Sequence, residues 1–173
     1  MAAWHFNFSL VPSGGVRRYH RDVDSVLVEY CSSVSQGAML DEAESEVGIN
    51  YWDGFDIRSV GNELARSFPP RASWSADAVM LGYDDGDRIE VWVDDVVCQI
   101  DVRNFSLESV RSIVEVAEKF DCLLVLHGEG RVIEPRLDVL LSEIEKSAAY
   151  EFCLDPKKFM MQRAGKSDLK AQG

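Results

Sequence analysis

The chain has 173 residues, 46% of them apolar and 10% aromatic, with a formal net charge of −12. A chain this long can bury roughly two-thirds of its unfolded surface as one domain, so neither disulfides nor a structural metal are needed to hold it together. The negative charge argues against nucleic acid and anionic membranes as partners, because both carry the same sign.

The first element alternates. Trp4, Phe6, Phe8 and Leu10 fall on one side and His5, Asn7 and Ser9 on the other, which predicts a half-buried strand. Pro12-Ser13-Gly14-Gly15 reads as its end. Val23, Val26, Leu27, Tyr30 and Val34 recur at helical steps behind Asp22, predicting a helix over 22–34. No period holds from Gly37 to Phe55. Ile57, Val60, Leu64 and Phe68 then define a short helix stopped by Pro69-Pro70.

Three alternating runs follow: Val79/Leu81/Tyr83, Ile89/Val91/Val93 and Cys98/Ile100/Val102. Short acidic turns join them, Asp84-Asp85-Gly86-Asp87 and Asp94-Asp95, and the pattern predicts an antiparallel meander. Ser106 is placed to cap a helix with Leu107, Val110, Ile113, Val114, Ala117 and Phe120 on one face. Cys122–Leu126 is apolar at every position, as expected of a strand covered on both faces. Pro135 opens a last helix carrying Leu137, Leu140, Leu141, Ile144 and Ala148. These elements predict an α+β fold with one mixed, largely antiparallel sheet, a three-strand meander, and helices packed mainly on one face. Residues 1–156 form the single domain; 157–173 form a basic, flexible tail.

Charge is uneven along the chain. Residues 21–57 carry nine acids against Arg21, and residues 77–103 carry eight acids against Arg88 and Arg103. The stretch 157–173 carries five bases against Asp168. The segments rich in carboxylates are therefore candidates for contact with a cationic partner.

Catalytic and metal chemistry find little footing. Asp84-Asp85-Gly86-Asp87 lacks the ligand spacing of a calcium loop and enters a strand at once. Cys31, Cys98, Cys122 and Cys153 show no Cys-x-x-Cys spacing, and the histidines no His-x-x-x-His. Cysteines in such apolar settings read as small buried hydrophobes, reduced in a cytoplasm. Met1–Leu10 has neither a cationic start nor a continuous apolar run, so no signal peptide is expected. His127-Gly128-Glu129-Gly130 ends a buried strand, where His127 could serve as a base oriented by Glu129, with Cys98 conceivable as a nucleophile. The competing reading is a simple turn made by the two glycines. No phosphate loop and no nucleophile elbow occurs. The reading therefore assigns no catalytic residue, no metal ligand and no cofactor.

Asn50-Tyr51-Trp52-Asp53-Gly54-Phe55-Asp56 sets three aromatics among acids. Such a segment either seals a core edge or forms a binding surface, since interface centres favour large rings and nearby acids steer a basic partner. Trp74 adds to the case, and Trp92 stands with Glu90 and Asp94 on the more polar side of its strand. Tyr51, Trp52, Asp53, Phe55, Asp56, Glu90, Trp92 and Asp94 are accordingly the expected partner-binding residues.

Met80-Leu81-Gly82-Tyr83, Arg88-Ile89-Glu90-Val91-Trp92 and Ile100-Asp101-Val102-Arg103 lie in a stretch, roughly 75–156, that resembles small acidic bacterial immunity proteins, which neutralise antibacterial toxins. The resemblance lies in strand pattern, and that group shares no residue code, so no functional residue carries over. It implies a cytoplasmic, stoichiometric inhibitor that occludes a basic toxin domain by charge and shape complementarity. Two other readings stand beside it: an enzyme acting near His127 and Glu129, and a structural module that forms a homo-oligomer, such as a homodimer, through a sheet edge.

Overall fold

A computed structural model describes residues 4–20, 27, 30 and 49–161. The helix expected over 22–34 and the irregular stretch beyond it lie, except for Leu27, Tyr30 and residues from 49 on, outside the described residues. So do Cys31 and the tail from 162.

Seven strands form one sheet: β1 (His5–Pro12), β2 (Pro70–Arg71), β3 (Val79–Gly82), β4 (Arg88–Val91), β5 (Val96–Asp101), β6 (Cys122–Leu126) and β7 (Val132–Ile133). Their order is β2-β3-β4-β5-β1-β6-β7. The α+β class is as expected, and each described pairing is antiparallel. β3, β4 and β5 make the meander. β1 lies between β5 and β6, with Phe8 opposite both Cys98 and Leu126. Because β5 and β6 both run against β1, they run parallel to each other and need a crossover. Helix α3 (Leu107–Lys119) supplies it.

The main core lies on one sheet face. Phe6, Phe8 and Leu10 of β1 meet Leu81, Ile89, Val91, Cys98 and Ile100 from the meander and Leu124 from β6. Helices α2 (Ile57–Leu64), α3, α4 (Leu137–Lys146) and α5 (Ala148–Leu154) cover this face through Val60, Leu64, Val110, Ile113, Ala117, Leu140, Ile144 and Ala149. Each large side chain withdrawn from water here contributes about 1.5–3 kcal/mol. Asp56 caps α2 through the Ser59 amide at 3.1 Å, and Ser106 caps α3 through the Ser109 amide at 3.2 Å.

Several expectations need correction. β1 is not half-buried: Ser9 and Asn7 are buried as well. A second, smaller core covers that side at β1 and β6, where Val11, Leu123, Val125 and Val132 meet Val16, Leu27 and Tyr51. The strand also runs on to Pro12, and the residues expected to loop open helix α1 (Ser13–Tyr19). The glycines serve close approach: a Cβ on Gly15 would stand 2.0 Å from the Tyr51 carbonyl oxygen, and one on Gly14 2.8 Å from the Phe55 ring. Pro135 stands outside α4, whose N-cap is the extended Arg136. Ser147 separates α4 from α5 and caps the latter, which shifts the buried small residue from Ala148 to Ala149. Packing also continues beyond Pro156. Residues 156–161 are helical, and Phe159 is buried with its ring 5.6 Å from Phe152.

The end of β5 is clamped by charge. The buried Asp101 accepts from the Arg103 guanidinium at 2.6 Å and from the Arg103 amide at 3.0 Å. These bonds hold its carboxyl below the usual carboxylate range. Arg103 lies 4.1 Å over the Trp4 ring. No helix among the described residues is long and apolar enough to cross a membrane.

Candidate functional site

The eight residues expected to share one surface are divided by the fold. Tyr51 is 2% exposed and Trp52 4%. The Tyr51 hydroxyl meets His20 Nε2 at 2.8 Å, and the Trp52 indole N–H donates to the Leu10 carbonyl at 3.2 Å. These two rings seal the core edge and leave the docking set. Asp53, Phe55 and Asp56 remain exposed but have local partners. Arg18 donates to the Asp53 carbonyl at 2.9 Å, approaches its carboxylate at 3.6 Å, and lies 5.7 Å over the Phe55 ring. Asp56 accepts from Ser59 as the α2 cap, and these bonds lower its pKa.

Glu90 and Trp92 are brought together at the end of β4, and Asp94 lies in the turn after it. Met80, Glu90 and Val97 stand across the strands from one another, on the face opposite Leu81, Ile89 and Val91. The Trp92 indole N–H donates to Glu90 Oε2 at 3.3 Å, which keeps Trp92 on this second face. Trp74, from the loop between β2 and β3, brings its ring to 5.2 Å from that of Trp92, tilted by 60°. Trp74 is 71% exposed and Val93 72%; Asp94 is exposed beside them. Among the described residues neither Glu90 nor Asp94 forms an ion pair. The result is an aromatic pair, exposed at Trp74 and joined through Trp92 to the Glu90 carboxylate, with exposed Val93 and Asp94 in the adjoining turn. Trp74 and Trp92 are 18 residues apart in the chain. No local spacing signals that pairing, because the loop geometry makes it.

The histidine expected at a strand end is part of a different arrangement. His127 Nε2 lies 2.8 Å from Ser9 Oγ, and the Ser9 hydroxyl donates to Asp95 Oδ2 at 3.2 Å. Asp95 Oδ1 accepts from Tyr30 OH at 3.3 Å and from the Val96 amide at 2.8 Å. A hydroxyl has one proton. With that proton directed at Asp95, the His127 ring donates to Ser9 and does not accept from it. A nucleophilic serine needs the reverse, its proton passing to histidine while the acid holds the other ring nitrogen. Ser9 is moreover fully buried in a central strand. Burial lowers the His127 pKa to about 4 and raises that of Asp95 to about 6. Glu129 is exposed and pairs with Arg131 at 3.2 Å. Cys98 is buried, and burial pushes its thiol well up, away from the reactive thiolate. This arrangement ties β1, β5 and the end of β6 together with buried polar groups.

The acidic hairpin turn closes as a turn, with the Tyr83 amide bonded to the Asp87 carbonyl at 3.0 Å and Arg71 paired to Asp84 at 2.8 Å. Its last residue points inward: Asp87 is buried and accepts from the Asp101 amide at 3.0 Å. Beside it opens a cleft of about 590 Å³, lined by Arg66, Tyr83, Asn104, Glu108 and Ser112 among others. Among the described residues no group of three or more His, Cys, Asp or Glu side chains is placed to hold a metal ion. Comparison of the chain with protein-family models, with curated proteins and with solved structures finds no match.

Proposed function

We propose that this protein is a binding module that docks a basic protein through the patch at Trp74, Glu90, Trp92, Val93 and Asp94, and that it acts as an immunity-type inhibitor of a cationic toxin domain. The observation carrying this reading is the indole pair, Trp74 exposed and Trp92 half-buried, with the Glu90 carboxylate bonded to Trp92 and without an ion-pair partner among the described residues. Trp anchors contribute heavily where they become buried between partners, and the carboxylates add steering and register. Inhibition follows by occlusion: a toxin that acts on nucleic acid or another polyanion presents Lys and Arg to its substrate, and an acidic patch competes for them. The net charge of −12 strengthens long-range attraction to such a partner.

The test is affinity capture from the source cells with the immobilised wild-type chain and with a Trp74→Ala/Glu90→Lys variant, followed by activity assays on the captured protein. The expected result is a cationic protein held by wild type, released as salt rises, lost with the double variant, and inhibited at one-to-one stoichiometry. Capture indifferent to both salt and substitution would overturn the proposal. The enzyme reading has less support, because the Ser9 proton is directed away from His127.

A further inference from the structure

We infer that the outward faces of Trp74 and Trp92, with the Glu90 carboxylate, bind a guanidinium group, an arginine side chain of the basic partner; this rests on the docking reading above. The two rings meet at 60° with centroids 5.2 Å apart, so they form a wedge and not a closed stack. Trp74, 71% exposed, offers its face to solvent. A cation over an indole face within about 6 Å is attracted by the ring quadrupole, and Trp is the strongest such acceptor. Elsewhere in the fold this contact is already made: among the described residues, cations lie over Phe55, Trp4 and Phe120, and none lies over Trp74 or Trp92.

The neighbouring charges fit the same ligand. Glu90 Oε2 accepts the Trp92 N–H, which fixes that indole against the carboxylate. Glu90 has no ion-pair partner among the described residues, so a cation brought over the rings meets an unneutralised carboxylate; the exposed Asp94 in the adjoining turn has none either. Guanidinium suits the site better than ammonium. It is planar, stacks on aromatic faces, sheds water more easily, and can donate to a carboxylate while stacked.

The experiment follows the four indole N–H signals of the full chain by NMR, assigned by replacing each Trp with Phe in turn. The probes are N-acetyl-arginine amide, its neutral citrulline counterpart, and tetramethylammonium. The arginine derivative is expected to shift the Trp74 and Trp92 signals saturably, with a dissociation constant on the order of millimolar. The citrulline derivative is expected to bind about two- to five-fold more weakly, and Glu90→Gln to weaken the arginine derivative by a similar factor. Equal shifts from citrulline, no shift at all, or tighter binding of tetramethylammonium would each overturn the guanidinium assignment. Failure here is distinguishable from failure of the docking reading. If a captured cationic partner binds Trp74→Ala as tightly as wild type, the arginine contact is wrong and the partner stands. If the arginine probe binds but no cationic partner is captured, the site stands and the partner does not.

Discussion

Asp94 and Asp95 are adjacent acids with opposite surroundings. Asp94 is exposed, while Asp95 takes hydrogen bonds from Ser9, Tyr30 and the Val96 amide. The turn that brings Asp95 toward the sheet sets up a linkage with His127. Between pH 4 and 6 the native state keeps Asp95 protonated and His127 neutral, and so holds one proton on the pair. The unfolded chain keeps Asp95 ionised and His127 cationic, which is also one proton. The two contributions to the pH slope of stability therefore cancel. Asp95→Asn leaves His127 alone, the unfolded state then binds more protons, and stability should rise with pH across this window. His127→Gln leaves Asp95 alone, the native state binds more, and stability should fall as pH rises. Each slope, taken relative to wild type by urea unfolding, should approach about 1.4 kcal/mol per pH unit at its steepest. Parallel profiles for all three proteins would mean that these groups do not titrate as their burial demands.

The elements depend on a few local devices that can be removed singly. Ser106→Ala deletes the side-chain acceptor for the Ser109 amide and should cost about 1 kcal/mol, read as a lower urea midpoint with unchanged slope. Gly15→Ala forces the first turn of α1 away from Tyr51 and should cost about 1–3 kcal/mol, although alanine ordinarily favours helix. The contrast between these two shows which parts of the fold were legible in the sequence. The meander and α3 were readable because their signals are local: alternation with one face partly wet, and a cap followed by an apolar stripe. α1 was hidden because Ser-Gly-Gly is a turn signal, and the distant Phe55 ring and Tyr51 carbonyl explain the two glycines there. The second face of β1 was hidden because Asn7 and Ser9 look like solvent positions until Val16, Leu27 and Tyr51 cover that side of the sheet. For the candidate site, the contact of Glu90 with Trp92 was legible, because residues two apart on a strand share a face. Tyr51 and Trp52 were not, since a run of aromatics and acids reads alike whether it seals a core or faces outward.

Across the whole molecule, packing does not stop at the last strongly apolar helix. Phe159 packs on Phe152, so cutting the chain after Asp155 should lower the melting temperature by several degrees relative to a cut after Met161. This corresponds to about 1.5–3 kcal/mol of buried aromatic surface. Charge acts over the same scale in a different way. Most of the negative charge can attract a basic partner only at long range, and salt at physiological strength screens that beyond about 8 Å. Glu90 differs, because it is bonded to a ring that would be buried in the complex, whereas Asp94 lies exposed in the turn beyond it. Asp94→Lys at the exposed rim should therefore slow association and flatten its salt dependence while leaving dissociation nearly unchanged. Trp92→Ala should instead speed dissociation by at least ten-fold, the loss expected of an anchor at an interface centre. Stopped-flow association and surface-bound dissociation at two salt concentrations separate these effects. An Asp94→Lys variant that changed only dissociation would place that carboxylate inside the contact and shift its centre toward the β4–β5 turn.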